Sequence, residues 1–263
     1  MLIATFGFFL LYLLGLPVLI LLPDFKRRWR RWNTQTWARS LVRVIGVRVE
    51  VHNSPPVGSF LLVSNHLSYL DIIVLQSQLD CAFVAKSEVA SWPVLGLICR
   101  SVGTIFINRQ VGRHISQTLD QIKTTIGEGL GVVLFAEGTS TNGESVSHFK
   151  SSLLEVAARA RQPVHYASIT YAVPIGERSP AQSVCWWGDM TFSDHVFRLL
   201  QLPSLEAKIA YGDEPIVDDN RHALAARLWS AVNAQFQPVG YSLSDKLDLT
   251  SGNHEAVEYL KRY

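Results

Sequence analysis

Phe60-Leu61-Leu62-Val63-Ser64-Asn65-His66-Leu67-Ser68-Tyr69-Leu70-Asp71-Ile72-Ile73-Val74-Leu75 decides how this chain is read. The first four residues form an apolar run of strand length, and the last four read as the start of a helix. A strand therefore passes into a helix, with a histidine and an aspartate at the junction. On one continuous helix His66 and Asp71 would lie about 140° apart and could not meet. With His66 in the turn and the helix starting near Ser68, the carboxylate can fold back under the imidazole. Ser68 followed by Asp71 also has the form of a capping box, the acid at the third helical position. A carboxylate on one ring nitrogen fixes the tautomer and leaves the other nitrogen to take a proton from a bound hydroxyl. That is triad logic without an enzymic nucleophile, the substrate's own hydroxyl being the attacking group. A buried histidine capping a helix would look the same, so the two residues do not settle the matter alone.

At 263 residues the chain can hold one substantial α/β domain and an appendage. Its net charge of +2 is unevenly spread. Between Asp24 and Gly46 stand Lys26, Arg27, Arg28, Arg30, Arg31, Arg39 and Arg43 against a single acid, so the rest of the chain is acidic overall. A basic segment of this kind points to an anionic surface, lipid or nucleic acid. Cys81, Cys99 and Cys185 stand apart in apolar surroundings, as core residues rather than a disulfide framework or a zinc site.

Residues 1–23 contain no charged side chain before Asp24 and are dominated by Leu, Phe and Ile. A helix of that length matches a bilayer's hydrocarbon core of about 30 Å. A cleaved signal peptide would want a positive start and a small-residue cleavage site, and neither is evident. The positive charge follows the apolar run, which keeps the rest of the chain cytoplasmic under the positive-inside rule. Pro17 also allows a kinked helix that enters one leaflet without crossing. Residues 25–45 read as an interfacial helix, with Phe25, Trp29, Trp32, Trp37, Leu41 and Val44 on one side and Arg27, Arg28, Arg31, Arg39 and Arg43 on the other. The preceding apolar run favours lipid over nucleic acid as its partner.

From Val47 the chain alternates between strand-like and helix-like segments. Strands are expected at 47–51, 60–63, 82–85, 103–107, 132–135, 164–173, 184–187 and 206–211. Helical faces are marked by Ile115, Leu119, Ile122 and Ile126, and helices are expected over 149–161, 196–200 and 223–236. This order implies an α/β fold, a mixed sheet flanked by helices, preceded by a membrane-associated helical module. The domain division expected is an anchor over 1–46, a catalytic domain over 47–238 and a polar tail over 239–263.

Three loops leaving strands carry the polar groups, and in an open α/β sheet such loops can converge on one cleft. The first holds His66 and Asp71. In the second, Gly103-Thr104-Ile105-Phe106-Ile107-Asn108-Arg109, an arginine directly after a buried strand is suited to grip a phosphate, though a surface ion pair is the commoner use. In the third, Phe135-Ala136-Glu137-Gly138-Thr139-Ser140, glycine permits close approach of a ligand while Glu137 and Thr139 offer an acceptor and a donor.

In this order and spacing, Asn65-His66-x4-Asp71, Gly103-x-x-Phe106-x-x-Arg109 and Phe135-x-Glu137-Gly138-Thr139 resemble the glycerolipid acyltransferase family. The resemblance covers roughly residues 47–211 and is greatest to the bacterial 1-acylglycerol-3-phosphate acyltransferases. It implies that His66 is the general base and Asp71 its orienting partner. Arg109 would bind the acceptor's phosphate, Glu137, Gly138 and Thr139 would help hold the acceptor, and Lys86 would stand near that phosphate. Ala136 departs from the family, which commonly has proline there. The implied reaction moves an acyl group from the thioester of acyl-CoA or an acyl carrier protein to a lysophospholipid hydroxyl, with no metal or other cofactor. The implied setting is the cytoplasmic side of a bacterial inner membrane, with phosphatidic acid as product. The stretch from Glu137 to Gly143, Phe149-Lys150-Ser151 and Gly188-Asp189-Met190 also resemble the lyso-ornithine lipid acyltransferases of the same family. A silent lipid-binding protein on this fold is the alternative from a different class.

Overall fold

A computed structural model describes residues 7, 8, 10, 11, 23–92, 96, 99, 100, 103–107 and 112–242. Most of the apolar segment 1–23, Arg109 and the tail beyond 242 lie outside these residues. Among the described residues no helix is long and apolar enough to cross a membrane.

One eight-stranded sheet forms the centre of the molecule. Its strands are β1 (Val47–His52), β2 (Leu61–Ser64), β3 (Cys81–Lys86), β4 (Ile105–Ile107), β5 (Gly131–Phe135), β6 (Val164–Pro174), β7 (Leu205–Tyr211) and β8 (Gly240–Ser242). They run in the order β1-β7-β6-β2-β5-β3-β4, with β8 beside β6. The neighbours β6, β2, β5, β3 and β4 are parallel, whereas β7 runs against β6 and β1 follows β7. The sheet is therefore mixed and flanked by helices, as the alternating sequence implies. The central strands β2 and β5 are buried throughout, which is why they read as unbroken apolar runs.

Each central strand sends alternate side chains to two cores. Leu62, Phe83, Val133, Phe135, Ile169 and Tyr171 face α1 (Pro23–Ile45) and α2 (Leu70–Gln78). Leu61, Val63, Val132 and Leu134 face a second cluster. It contains Ile122 of α3 (Gly112–Gly127), Ala157 and Ala158 of α4 (Glu155–Ala160), and Leu224, Leu228 and Val232 of α7 (Arg221–Gln235). Two shorter helices, α5 (Pro180–Ser183) and α6 (Phe192–Leu200), lie between β6 and β7.

Several elements differ from the sequence reading. Helix α1 is not an apolar side facing lipid alone: Ala38, Leu41 and Ile45 are buried in the first core, and Asn33 and Thr34 are buried with them. Its outward surface carries Arg28, Arg31, Trp32, Arg39, Arg43 and Val44. The strand expected at 184–187 is a turn following α5. Val184 and Cys185 are buried without a sheet partner, since their N–H groups bond back to the Pro180 carbonyl. Residues 149–161 are two pieces, a 3-10 turn (Ser151–Leu153) and then α4, because Lys150 N–H is drawn to the Ala136 carbonyl. Gly240–Ser242, expected in the polar tail, adds a short parallel strand to β6.

Candidate active site

The parallel strands β2, β5, β3 and β4 all end at one edge of the sheet. Register pairs Ser64 with Phe135, and Lys86 with Ile107. The loops leaving this edge hold His66 and Glu137, and Lys86 ends β3 beside them; Arg109, two residues past β4 in sequence, is outside the described residues. Convergence follows from strand order and direction.

The turn after β2 departs from a regular capping box. Helix α2 starts at Leu70, with Tyr69 as its cap, and the buried Ser68 hydroxyl has no hydrogen-bond partner among the described residues. Asp71 nevertheless reaches back. Its Oδ2 accepts the N–H groups of Leu67 at 2.7 Å and Ser68 at 3.0 Å, and meets His66 Nδ1 at 2.7 Å. Its Oδ1 accepts the Tyr171 hydroxyl at 2.7 Å. The carboxylate is completely buried, and four hydrogen bonds replace the water it has lost. An ionised carboxylate only accepts, so Nδ1 carries the proton and Nε2 is left with its lone pair. The imidazole stacks on Phe135, centroids 4.0 Å apart and planes 14° from parallel. Its side chain is partly open, at 19% exposure, whereas Asp71 beneath it has none.

The rest of the turn is fixed by its main chain. His66 N–H donates to Glu137 Oε1 at 2.6 Å, and the His66 carbonyl accepts Thr141 N–H at 3.0 Å. The Leu67 carbonyl accepts Trp186 N–H at 2.8 Å. Asn65 closes a two-way bond with Ile169 of β6, Nδ2 donating to its carbonyl at 2.9 Å and Oδ1 accepting its N–H at 2.8 Å. The Ser140 hydroxyl donates to the Trp186 carbonyl, tying the third motif to the same turn.

Glu137 is buried, and its second oxygen accepts Ser147 N–H at 2.7 Å. Both oxygens are thus committed to main-chain donors, and the carboxylate clamps the two loops together. Burial pushes its carboxyl up to about 7, only partly offset by the N–H bonds from His66 and Ser147. Gly138 turns the chain at φ 78°, its N–H on the Phe135 carbonyl at 3.1 Å. Thr139 is exposed on the same loop, and Lys86 is exposed at the end of β3. Tyr171 and the Asn65–Ile169 clamp were not expected from the sequence, since nothing local marks a β6 residue as a neighbour of the first motif.

A histidine oriented by a buried carboxylate, its second nitrogen without a hydrogen bond among the described residues, can take a proton from a hydroxyl. Residues 46–176 match the Acyltransferase family model. A lyso-ornithine lipid O-acyltransferase from Rhizobium meliloti is 33% identical over 250 residues, which cover 90% of this chain and 82% of the relative. The chain belongs to the acyltransferase family. A 1-acyl-sn-glycerol-3-phosphate acyltransferase from Neisseria meningitidis is 26% identical over 200 residues, covering 74% of this chain and 77% of the relative. In fold, the chain is similar to the crystal structure of the 1-acyl-sn-glycerophosphate acyltransferase PlsC from Thermotoga maritima. That match has a TM-score of 0.58 and 20% identity, and covers 89% of this chain and 95% of the other. The acyltransferase match begins at Gly46 and spans the three motif loops.

Proposed function

We propose that this acyltransferase esterifies the free hydroxyl of a lysolipid at a membrane surface, with lyso-ornithine lipid as the favoured acceptor. The observation that carries the reading is the His66–Asp71 contact at 2.7 Å in a turn at the carboxyl edge of the sheet. His66 Nε2 takes the hydroxyl proton as the acceptor oxygen attacks the thioester carbonyl of acyl-CoA or an acyl carrier protein. The tetrahedral oxyanion collapses, the C–S bond breaks, and the proton on His66 passes to the departing sulfur. An ester and a free thiol result, and Asp71 keeps its charge opposite the imidazolium throughout.

The acceptor preference is supported by the relative that aligns along nearly the whole chain. The second reading, 1-acylglycerol-3-phosphate as acceptor and phosphatidic acid as product, is supported by two cations in the sequence, Lys86 and Arg109. A phosphate with nearly two negative charges would gain most from an arginine fork and a second cation. A membrane surface suits either acceptor. The apolar segment 1–23 has the composition that suits a bilayer's hydrocarbon, and the outward arginines and Trp32 of α1 have that of a helix drawn to anionic lipid, on the cytoplasmic side.

Purified full-length protein, given lyso-ornithine lipid and lysophosphatidic acid in the same micelles with the same acyl donor, tests the choice. Faster turnover of lyso-ornithine lipid is expected, and faster turnover of lysophosphatidic acid replaces the first acceptor by the second. His66→Ala is expected to abolish transfer to both while the protein stays folded. Activity within a few fold of wild type would refute the general-base role.

A further inference from the structure

The Asp71 carboxylate is held from two directions. Oδ2 is used by its own turn, through His66 Nδ1 and the N–H groups of Leu67 and Ser68. Oδ1 faces β6 and accepts the phenol of Tyr171 at 2.7 Å. Tyr171 is 1% exposed and lies on a strand held on both sides, Tyr171 paired with Ala207 of β7 and Ser64 paired with Ala167. Two residues before it, Ile169 takes the side chain of Asn65 by both its N–H and its carbonyl. Strand β6 therefore grips the first motif twice, once by main chain and once by a hydroxyl.

Phenylalanine would fill the space of this ring, so packing alone does not call for the hydroxyl. A buried phenol needs a partner, and here the partner is the carboxylate of the candidate dyad. Burial, followed by the charge of Asp71 beside it, holds the phenol well above its ordinary range, so it remains a donor. The terminal torsion of an aspartate is broad and nearly two-fold, so contacts at one oxygen define its plane poorly.

We propose that Tyr171 is a positioning residue for acyl transfer: its bond to Oδ1 sets the plane of the Asp71 carboxylate, and so keeps Oδ2 on His66 Nδ1 and aims Nε2 at the acceptor hydroxyl. This rests on the general-base reading of His66. Tyr171 acts through Asp71 and does not reach solvent, so its loss affects the chemical step and leaves substrate binding alone.

Steady-state kinetics of the purified full-length protein test it. Tyr171→Phe should lower kcat on the order of tenfold, as when one donor to a buried charge is removed. KM for acceptor and donor should stay within about twofold. In an Asp71→Asn background, Tyr171→Phe should slow the enzyme no further, because the carboxylate it served is gone. Wild-type kcat in Tyr171→Phe overturns the proposal, as does an equal loss in both backgrounds. Should Tyr171→Phe fail to fold, because it leaves a carboxylate oxygen buried and unpaired, the double variant removes that charge and should recover folding, since a buried unpaired amide costs less than a buried unpaired charge. A double variant that stays unfolded makes the hydroxyl a requirement of folding rather than of carboxylate positioning, and also overturns the proposal. Failure of the underlying reading looks different, since it appears as activity in His66→Ala.

Discussion

At the scale of single residues, Glu137 shows how burial and hydrogen bonding oppose each other. Its two oxygens accept N–H groups of His66 and Ser147, yet loss of water raises its carboxyl from 4.5 to about 7. The folded chain therefore holds a proton here that the unfolded chain releases between roughly pH 4.5 and pH 7. Stability contributed by this group falls as pH rises through that window, because the folded state binds more protons than the unfolded state. Glu137→Gln removes the titration. The stability of wild type relative to Glu137→Gln should thus decline between about pH 5 and about pH 7.5, as read by urea unfolding at each pH. A difference that does not change with pH would contradict the burial effect. His66 and Asp71 were legible as a pair because a turn between strand and helix lets the carboxylate fold back under the imidazole, whereas one continuous helix would keep them apart. The commitment of Glu137 to main chain was not legible, since a carboxylate beside a glycine reads equally well as a ligand for substrate.

At the scale of elements, α1 has two faces with different tasks. Ala38, Leu41 and Ile45 close the first core against α2, and Arg39 Nε donates to the Ser77 carbonyl of α2 at 3.1 Å. Leu41→Ala should therefore cost about 2–5 kcal/mol in unfolding free energy, the range for a buried leucine whose cavity cannot fully close. Trp32, 51% exposed on the other face, should change stability by less than about 0.5 kcal/mol when cut to alanine. Denaturant unfolding of the two variants separates the faces, and equal losses would mean that the helix packs differently. Helical periodicity alone located the apolar residues of this helix. It did not tell lipid from protein as their surroundings, because both reward the same residue types. The turn at 184–187 has the same cause: Val184 and Cys185 are apolar because they are buried, and burial requires no sheet partner.

For the whole molecule, the proposed function assigns acceptor chemistry to the sheet edge and membrane contact to the outward face of α1. Removing residues 1–22 leaves α1 in the chain, with Arg28, Arg31, Arg39 and Arg43 exposed. Such a protein should still float with anionic vesicles, though more weakly than the full chain. Its binding should drop as salt rises, since exposed charges are screened over about 10 Å at 0.1 M ionic strength. Binding that ignores salt would contradict the electrostatic contribution of α1.

The sequence by itself determined the alternation of strand and helix, the apolar strands that must lie at the centre, and the three motif loops that follow strand ends. Parallel strands share an edge, so those loops are bound to meet wherever their strands are neighbours. Only the tertiary structure decided which strands are neighbours. Placing β6 beside β2 brings Tyr171 onto Asp71 across 100 residues of chain and Ile169 onto Asn65 across 104. It also decided that one face of α1 is core. The physical reason is the same in each case: a local pattern records whether a side chain leaves water, but not which distant group it meets there. That choice rests on the packing of the whole sheet.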